Sequence, residues 1–240
     1  MFHPCIDLIS PSKWLDKREE LRVKGFTCFP EFASPPTVDC LKAEADHLIS
    51  NATQDSIYGV VRDDYGAIVV MNKIDKVSDY LFNLARHPVM MAVAEQLLGK
   101  PAIPLHVEYF CKPAEHSSPT PAHQDHVFYE EHFNDELALS FWIALDDVAR
   151  DSGALEYGAD AQMQLLPHVD SPTIDFDFQL AETKGITFAI VPTPRGGCIV
   201  HHSYAVHRTG DNTSGSPRRA IAFNYRGSSY RAWLQSKATK

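Results

Sequence analysis

Chemistry-bearing side chains concentrate in two stretches, PAHQDHVFYE (121–130) and GGCIVHHSYAVHRTGD (196–211). The first holds His123-Gln124-Asp125-His126. Side chains alternate faces along a strand, so His123 and Asp125 share one side and Gln124 and His126 the other. One imidazole and one carboxylate leave a metal under-coordinated. A second imidazole must come from a later strand, where His201, His202 and His207 are available. His201 and His202 sit inside the apolar run CIVHHSYAV, whereas His207 ends it beside the polar turn TGDNTSGSP. A ligand belongs at the rim of a barrel, where a metal keeps open positions, and this selects His207. Two histidines and one carboxylate on one face of a metal leave three adjacent positions free. That is the triad of non-haem Fe(II) oxygenases, whose metal accepts a bidentate 2-oxoacid and then O₂.

A second cluster supports the same chemistry. Arg218 follows His207 by eleven residues and opens RRAIAFNYR. That spacing predicts a β-hairpin returning beside the His207 strand. Arg218, Ala220, Ala222 and Asn224 share one face; Arg219, Ile221, Phe223 and Tyr225 share the other. The small residues of the first face leave room for a ligand. A guanidinium there can pair in bidentate fashion with a carboxylate. 2-Oxoglutarate fits, its keto-acid end on the metal and its far carboxylate on Arg218.

The elements that must position these groups follow from patterning. In SPSKWLDKREELRVKG, a Ser start, the spacing of Trp14, Leu15 and Leu21, and Gly25 predict a helix. FTCFPEF reads as a short strand. SPPTVDCLKAEADHLIS reads as a helix capped by Ser34, with Val38, Leu41, Ala45 and Leu48 on one face. Two more helices are predicted near 78–86 and 88–98. After Lys100 come short runs rich in β-branched and aromatic residues, separated by Gly/Pro/Asp turns: IPLHVEYFCK, LALSFWIALDDV, GALEYG, ITFAIVPT, GGCIVHHSYAVHR and RRAIAFNYR. They predict a sandwich or barrel. The expected fold is mainly β with flanking helices. One domain spans 1–240, with a helical N-terminal part over about 10–100 and the β core over about 101–227. Residues 159–184 form a long polar insertion, and connections of that size are more often functional.

Composition excludes other classes. The chain has 240 residues, 44% hydrophobic and 22% charged, which suits an ordinary globular domain. A net charge of -9 and the lack of a basic stripe argue against a nucleic-acid partner. MFHPCIDLIS lacks the layout of a signal peptide, and no apolar run reaches membrane-spanning length. The five scattered cysteines form no CxxC pair. A reducing cytoplasm is therefore the expected location.

Three ordered motifs, TPAHQD, SFWIALDDVARDSGALE and GGCIVHHSYAVHRTGDNTSGSPRRAIAF, resemble the phytanoyl-CoA dioxygenase family of Fe(II)/2-oxoglutarate oxygenases. GFTCFPEFASPPTVDCLKAEAD is similar to that family's usual opening, and the resemblance covers roughly residues 20–227. It implies a double-stranded β-helix (jelly-roll) core. The iron ligands fall on His123, Asp125 and His207, and the 2-oxoglutarate arginine on Arg218. The family's tryptophan, near the cosubstrate, falls on Trp142. Asn212 and Ser214 match its post-histidine turn. The chain departs from the pattern at YGADAQ, where a Gly-Ser-His segment is usual, and at Gly197-Cys198, where Gly-Asp is usual. An acyl-CoA substrate does not follow. In halogenating relatives a small residue replaces the carboxylate ligand, so Asp125 argues against halogenation.

Around the iron, Tyr58, Arg62, Tyr65, Phe128, Tyr129 and His132 are candidate substrate-facing residues, carried by 56–66 and 126–136. Lys73, after the apolar AIVVMN, is placed to salt-bridge 2-oxoglutarate or a substrate anion. Glu130, Glu131, Asp135 and Glu136 form an acidic run suited to a cationic substrate or simply to solvent. The expected reaction is hydroxylation of a small molecule, or ring closure or desaturation from the same hydrogen abstraction, in specialised-metabolite biosynthesis. The alternatives are a cupin-like metal hydrolase or isomerase, which has no need of Arg218, and a non-catalytic binding jelly roll, against which the intact triad argues.

Overall fold

Helix-stop chemistry and apolar spacing set the N-terminal elements of the computed structural model, which describes residues 14–52, 59–115, 117–128, 137–158, 164–172 and 177–227. Helix α1 (Trp14–Lys24) ends at Gly25, whose φ of 83° provides the left-handed turn. Leu21 is buried as its spacing predicts, but Leu15 is 72% exposed. The helix is mostly charged, with Lys17–Glu20 and Arg22–Glu19 pairs along it, and Leu21 is its buried apolar anchor. Helix α2 (Pro35–Asn51) starts after Ser34 and buries Val38, Leu41, Ala45 and Leu48, the predicted face. Ser34 does not cap the backbone; its hydroxyl meets that of Thr37 at 3.0 Å. Helices α3 (Asp79–Ala85) and α4 (Pro88–Leu98) lie where the sequence places them. Among the described residues, no helix is long and apolar enough to cross a membrane.

Among the described residues, thirteen strands follow the predicted runs and add several. In chain order they are β1 (Phe26–Phe29), β2 (Val60–Arg62), β3 (Ile68–Met71), β4 (Ala102–Lys112), β5 (Thr120–His123), β6 (Ala138–Ala144), β7 (Leu155–Gly158), β8 (His168–Asp170), β9 (Phe178–Leu180), β10 (Phe188–Val191), β11 (Cys198–His202), β12 (His207–Thr209) and β13 (Arg218–Gly227). The major sheet runs β1-β11-β6-β13-β4-β3-β2, and the minor sheet β10-β7-β12-β5. Two facing sheets of this kind make the jelly roll. Strands β1, β2 and β3 from the helical N-terminal part extend the major sheet at both edges. The 159–184 insertion carries the β8–β9 ladder.

The helices cover the outer face of the major sheet. Leu41, Leu81, Met90 and Val93 pack there with Phe141, Ile221, Phe223 and Tyr225. The inner face holds Trp142, Ile199, Ala220 and Ala222, packed against Leu155 and Tyr157 of the minor sheet. The predicted parity of β13 therefore stands. The predicted hairpin does not: β12 lies in the minor sheet, and β13 in the major sheet between β6 and β4. Asn212 clamps the crossover by donating to the carbonyls of Lys112, Pro113 and Ser216 and accepting from Ser214. A side chain with four local bonds holds a turn between sheets without strand pairing.

His202 shows what the outer face costs. It is 1% exposed, and neither ring nitrogen has a hydrogen-bond partner among the described residues. Burial, helped by the neighbouring His201, brings its pKa down from 6.5 to about 4. The unfolded chain therefore takes up a proton between those values that the folded chain refuses. Stability from this group is complete above pH 6.5 and declines as the pH falls toward 4, by about 3 kcal/mol in all. His202→Leu is expected to flatten this acid limb in urea titrations at pH 7, 6 and 5. An unchanged slope in the variant would place the acid sensitivity elsewhere.

Candidate active site

Strand β5 ends at His123, and Asp125 opens a 3₁₀ turn (Asp125–Phe128). The alternation expected through His123-Gln124-Asp125 is thus interrupted. The chain turns because His126 N–H bonds the Ser203 carbonyl at 2.9 Å and the buried Gln124 side chain reaches the carbonyls of Gln164 and Tyr204. His126 still faces away, stacked on Tyr204 at 4.1 Å. His123 and Asp125 converge even so. Strand pairing places His207 directly opposite His123.

His123, Asp125 and His207 offer ligand atoms that all lie within 4.8 Å of one another, the geometry of a group able to hold a metal ion. Asp125 Oδ1 is 3.4 Å from His123 Nε2 and 3.5 Å from His207 Nε2. Ligands about 2.1 Å from one ion and at right angles lie roughly 3 Å apart, so a small closure completes the site. Both rings are aimed by the backbone: Nδ1–H of His123 donates to the Pro121 carbonyl (2.8 Å), and Nδ1–H of His207 to that of Ala205 (3.0 Å). Each Nε2 lone pair is left pointing inward. Burial and the neighbouring His123 hold His207 well below its usual range, in the neutral form a metal requires. Burial alone would raise the Asp125 carboxyl, but His207, His123 and His201 keep it well below the usual carboxylate range. The donor set of two imidazoles and one carboxylate, with no thiolate, fits Fe(II).

A third histidine joins the group from a position the sequence reading left in the core. His201 Nε2 lies 3.0 Å from Asp125 Oδ2, and His201 Nδ1 lies 2.8 Å from the Tyr157 hydroxyl. Burial pushes the Tyr157 hydroxyl well above 10, so it stays a donor at neutral pH.

Arg218 lies on the inner face, 4% exposed, with its guanidinium 5.3 Å from the Trp142 ring. It donates to the Gly153 carbonyl at 3.1 Å, while its Nε has no partner. No carboxylate among the described residues pairs with it. Burial lowers its pKa to about 10, so it remains charged at neutral pH. A buried guanidinium without a counterion is costly, and a ligand carboxylate relieves that cost. The site therefore fits 2-oxoglutarate. Arg219, on the outer face, is already satisfied by Asp146 at 2.9 and 3.0 Å.

The remaining sequence candidates divide. Phe128 sits edge-on to His123 (6.1 Å between centroids) and against Phe178 of β9 (5.7 Å), so the turn and the insertion meet beside the triad. Lys73 is exposed beside His106, whose pKa its charge opposes. Arg62 and Tyr65 are not brought to the triad. Arg62 donates to the Gly66 carbonyl and Tyr65 is 70% exposed, on a β2–β3 hairpin whose register carries its tip toward the Lys112 end of β4. Tyr58, Tyr129, His132 and the acidic run at 130–136 lie outside the described residues. One polar wall went unrecognised. Glu108 stands opposite Ala222 on the inner face, accepts from Asn224 at 2.9 Å and lies 3.5 Å from His106. Asn224 is level with Ser140, and Ser140 with His201. That row places Asn224 about 10 Å and Glu108, one strand further, about 15 Å across the sheet from His201. Alternation in β4 could have signalled it.

Fold and site together define a non-haem iron oxygenase of the jelly-roll type. The phytanoyl-CoA dioxygenase (PhyH) family matches residues 21–220, and the chain belongs to that family. It is an Fe(II)- and 2-oxoglutarate-dependent oxygenase. It is 27% identical over 213 residues to phytanoyl-CoA dioxygenase domain-containing protein 1 of Danio rerio, covering 80% of this chain and 72% of that protein. It is 24% identical over 235 residues to the L-proline trans-4-hydroxylase of Streptomyces griseoviridis, covering 88% and 85%. Among solved structures, the epimerase SnoN of nogalamycin biosynthesis, in complex with Fe3+, alpha ketoglutarate and nogalamycin RO, superposes with a TM-score of 0.72 at 25% identity, covering 91% of this chain and 85% of that one. EvdO2 from Micromonospora carbonacea var. aurantiaca shares the fold, with a TM-score of 0.76 at 24% identity and 94% of each chain covered.

Proposed function

We propose that His123, Asp125 and His207 hold Fe(II), that Arg218 and Trp142 seat 2-oxoglutarate, and that the enzyme oxidises a C–H bond of a small molecule in specialised-metabolite biosynthesis. The observation that carries this is the buried Arg218, which has no counterion among the described residues and lies on the inner face of the same jelly roll as the triad. Bound there, Fe(II) with 2-oxoglutarate and O₂ supplies the oxidant, and 2-oxoglutarate leaves as succinate and CO₂. The protein's part is geometric. Asp125 supplies the negative charge among the ligands, His123 and His207 are aimed by backbone carbonyls, and Arg218 fixes the far end of the cosubstrate. Hydroxylation is the simplest outcome; ring closure and desaturation need the same placement. The relatives favour a tailoring role, since one is a proline hydroxylase and another an epimerase of nogalamycin biosynthesis. The cytoplasm suits an enzyme with free cysteines at 28, 40, 111 and 198.

The test is anaerobic titration with Fe(II) and 2-oxoglutarate, watched by the weak visible charge-transfer band, followed by a metabolite screen for succinate release. Absence of the band would leave a metal hydrolase as the better reading. Substrate contacts are assigned to Phe128, Lys73 and the Glu108–His106–Asn224 wall. Phe128→Ala and Glu108→Ala are each expected to lower product formation about tenfold, at a cost on the order of 1.4 kcal/mol. Substrate-free decay of 2-oxoglutarate stays near wild type. Equal loss of product and succinate would instead assign these side chains to support of the iron site.

A further inference from the structure

The carboxylate of Asp125 has two oxygens, and the fold treats them differently. Oδ1 faces both candidate ligand imidazoles, 3.4 Å from His123 and 3.5 Å from His207. Oδ2 lies 3.0 Å from His201 Nε2. A carboxylate can bind a hard cation through one oxygen or through both. Of six metal positions, the triad with a one-oxygen carboxylate leaves three. A bidentate 2-oxoacid takes two, and O₂ needs the third. A two-oxygen carboxylate would close that third position.

We infer that His201, oriented by Tyr157, is a positioning residue that occupies Oδ2 and so holds the Asp125 carboxylate to one-oxygen coordination. The inference rests on the proposed triad. Its direction follows from donor chemistry. The ionised carboxylate can only accept, so His201 Nε2 carries the hydrogen. Nδ1 must then accept, and it does so from the Tyr157 hydroxyl at 2.8 Å. No lone pair of His201 remains for the metal, which excludes it as a fourth ligand in this arrangement. The chain of contacts is rigid. His201 is 3% exposed and Tyr157 1%. Phe26 of β1 stacks on Tyr157 with centroids 4.1 Å apart and planes at 16°. Strand pairing fixes His201 between Phe26 on one side and Ser140 on the other, and Tyr157 opposite His207. Strands β1, β7 and β11, drawn from both sheets, thus build one chain of contacts that ends on a single carboxylate oxygen. Outer partners of this kind set ligand orientation, and their loss typically costs about 10–100-fold in metal affinity.

The experiment uses the whole chain and Co(II), whose visible d–d bands report coordination number. Wild type, Asp125→Ala, His201→Phe, His201→Gln and Tyr157→Phe are titrated with Co(II), then with 2-oxoglutarate, without O₂. Circular dichroism of each metal-free protein records its fold. His201→Phe is expected to bind Co(II) about 10–100-fold more weakly, and its spectrum with 2-oxoglutarate to differ from wild type. His201→Gln, which keeps an N–H donor, recovers part of both. Tyr157→Phe keeps the ring stack, loses only the hydroxyl, and falls between wild type and His201→Phe. If Asp125→Ala loses Co(II) while His201→Phe and Tyr157→Phe match wild type in affinity and spectrum, the inference is overturned and the triad stands. If Asp125→Ala binds Co(II) like wild type, the triad reading fails and takes this inference with it. Should His201→Phe not fold, Tyr157→Phe decides, because a wild-type spectrum there removes the orienting role.

Discussion

Arg218→Ala is expected to raise the apparent KM for 2-oxoglutarate by about 30-fold to several thousand-fold, with the metal site intact. The range corresponds to a loss on the order of 2–5 kcal/mol, the cost of leaving one member of a buried charge pair alone. The direction comes from the present state of Arg218. It is 4% exposed, donates to one backbone carbonyl, and has an unpartnered Nε. A ligand carboxylate therefore gains a guanidinium that no acid among the described residues competes for. Arg219→Ala provides the contrast. Arg219 is engaged by Asp146 on the outer face, so its loss is expected to lower thermal stability by about 1 kcal/mol or less and to leave KM unchanged. The two KM values, measured by succinate release, separate the faces of β13. A larger KM effect at Arg219 would invert the assignment. Arg218→Lys is expected to recover only part of the affinity, because an ammonium cannot form the two parallel bonds of a guanidinium.

What the sequence made legible follows from how local each signal is. The buried face of helix α2 was readable, since Val38, Leu41, Ala45 and Leu48 declare it by spacing alone. So was β13, where the alternation of small and bulky residues separates Arg218 from Arg219. His207 was selected over His201 and His202 because it ends its apolar run, and the structure brings it to Asp125. The larger errors are non-local. A spacing of eleven residues suits a hairpin, and nothing in it shows that Asn212 clamps the turn so that β12 and β13 enter different sheets. Inside an apolar run, His201 and His202 look alike. Only pairing of β11 with β6 turns one toward Asp125 and the other toward the helices. Glu108 was passed over for a similar reason. Alternation assigns a residue to a face, but the register of β4 on β13 decides which inner-face residues stand level with the site. Arg62 and Tyr65 lie on the exposed β2–β3 hairpin at the edge of the major sheet, a placement that side-chain type alone does not reveal.

Asp125→Ala is expected to abolish turnover and to weaken metal binding by more than the roughly 10–100-fold typical of losing an outer partner. It removes the only carboxylate of the three-residue group and leaves two imidazoles. It also removes the acceptor for His201 Nε2–H, so a buried donor 3.0 Å away is left unsatisfied. The second effect distinguishes this variant from a simple ligand deletion: its metal-free form is expected to be less stable than wild type by about 1–3 kcal/mol. There is an opposing contribution. Asp125 is 22% exposed on its side chain, and burial alone would raise its pKa, so removing it also relieves some desolvation. The hydrogen-bond loss is expected to dominate, because three histidines hold the carboxylate ionised despite that burial. Chloride can enter the space left by the carboxylate and restore part of the metal affinity. Chlorinated product is not expected, because His201 and Tyr157 are built around a carboxylate oxygen rather than a halide. The measurements are Co(II) affinity with and without chloride, thermal unfolding of the metal-free proteins, and mass analysis of product. A metal-free Asp125→Ala protein as stable as wild type would mean that His201 finds another acceptor. Efficient chlorination would mean that the pocket is indifferent to what fills the Asp125 position.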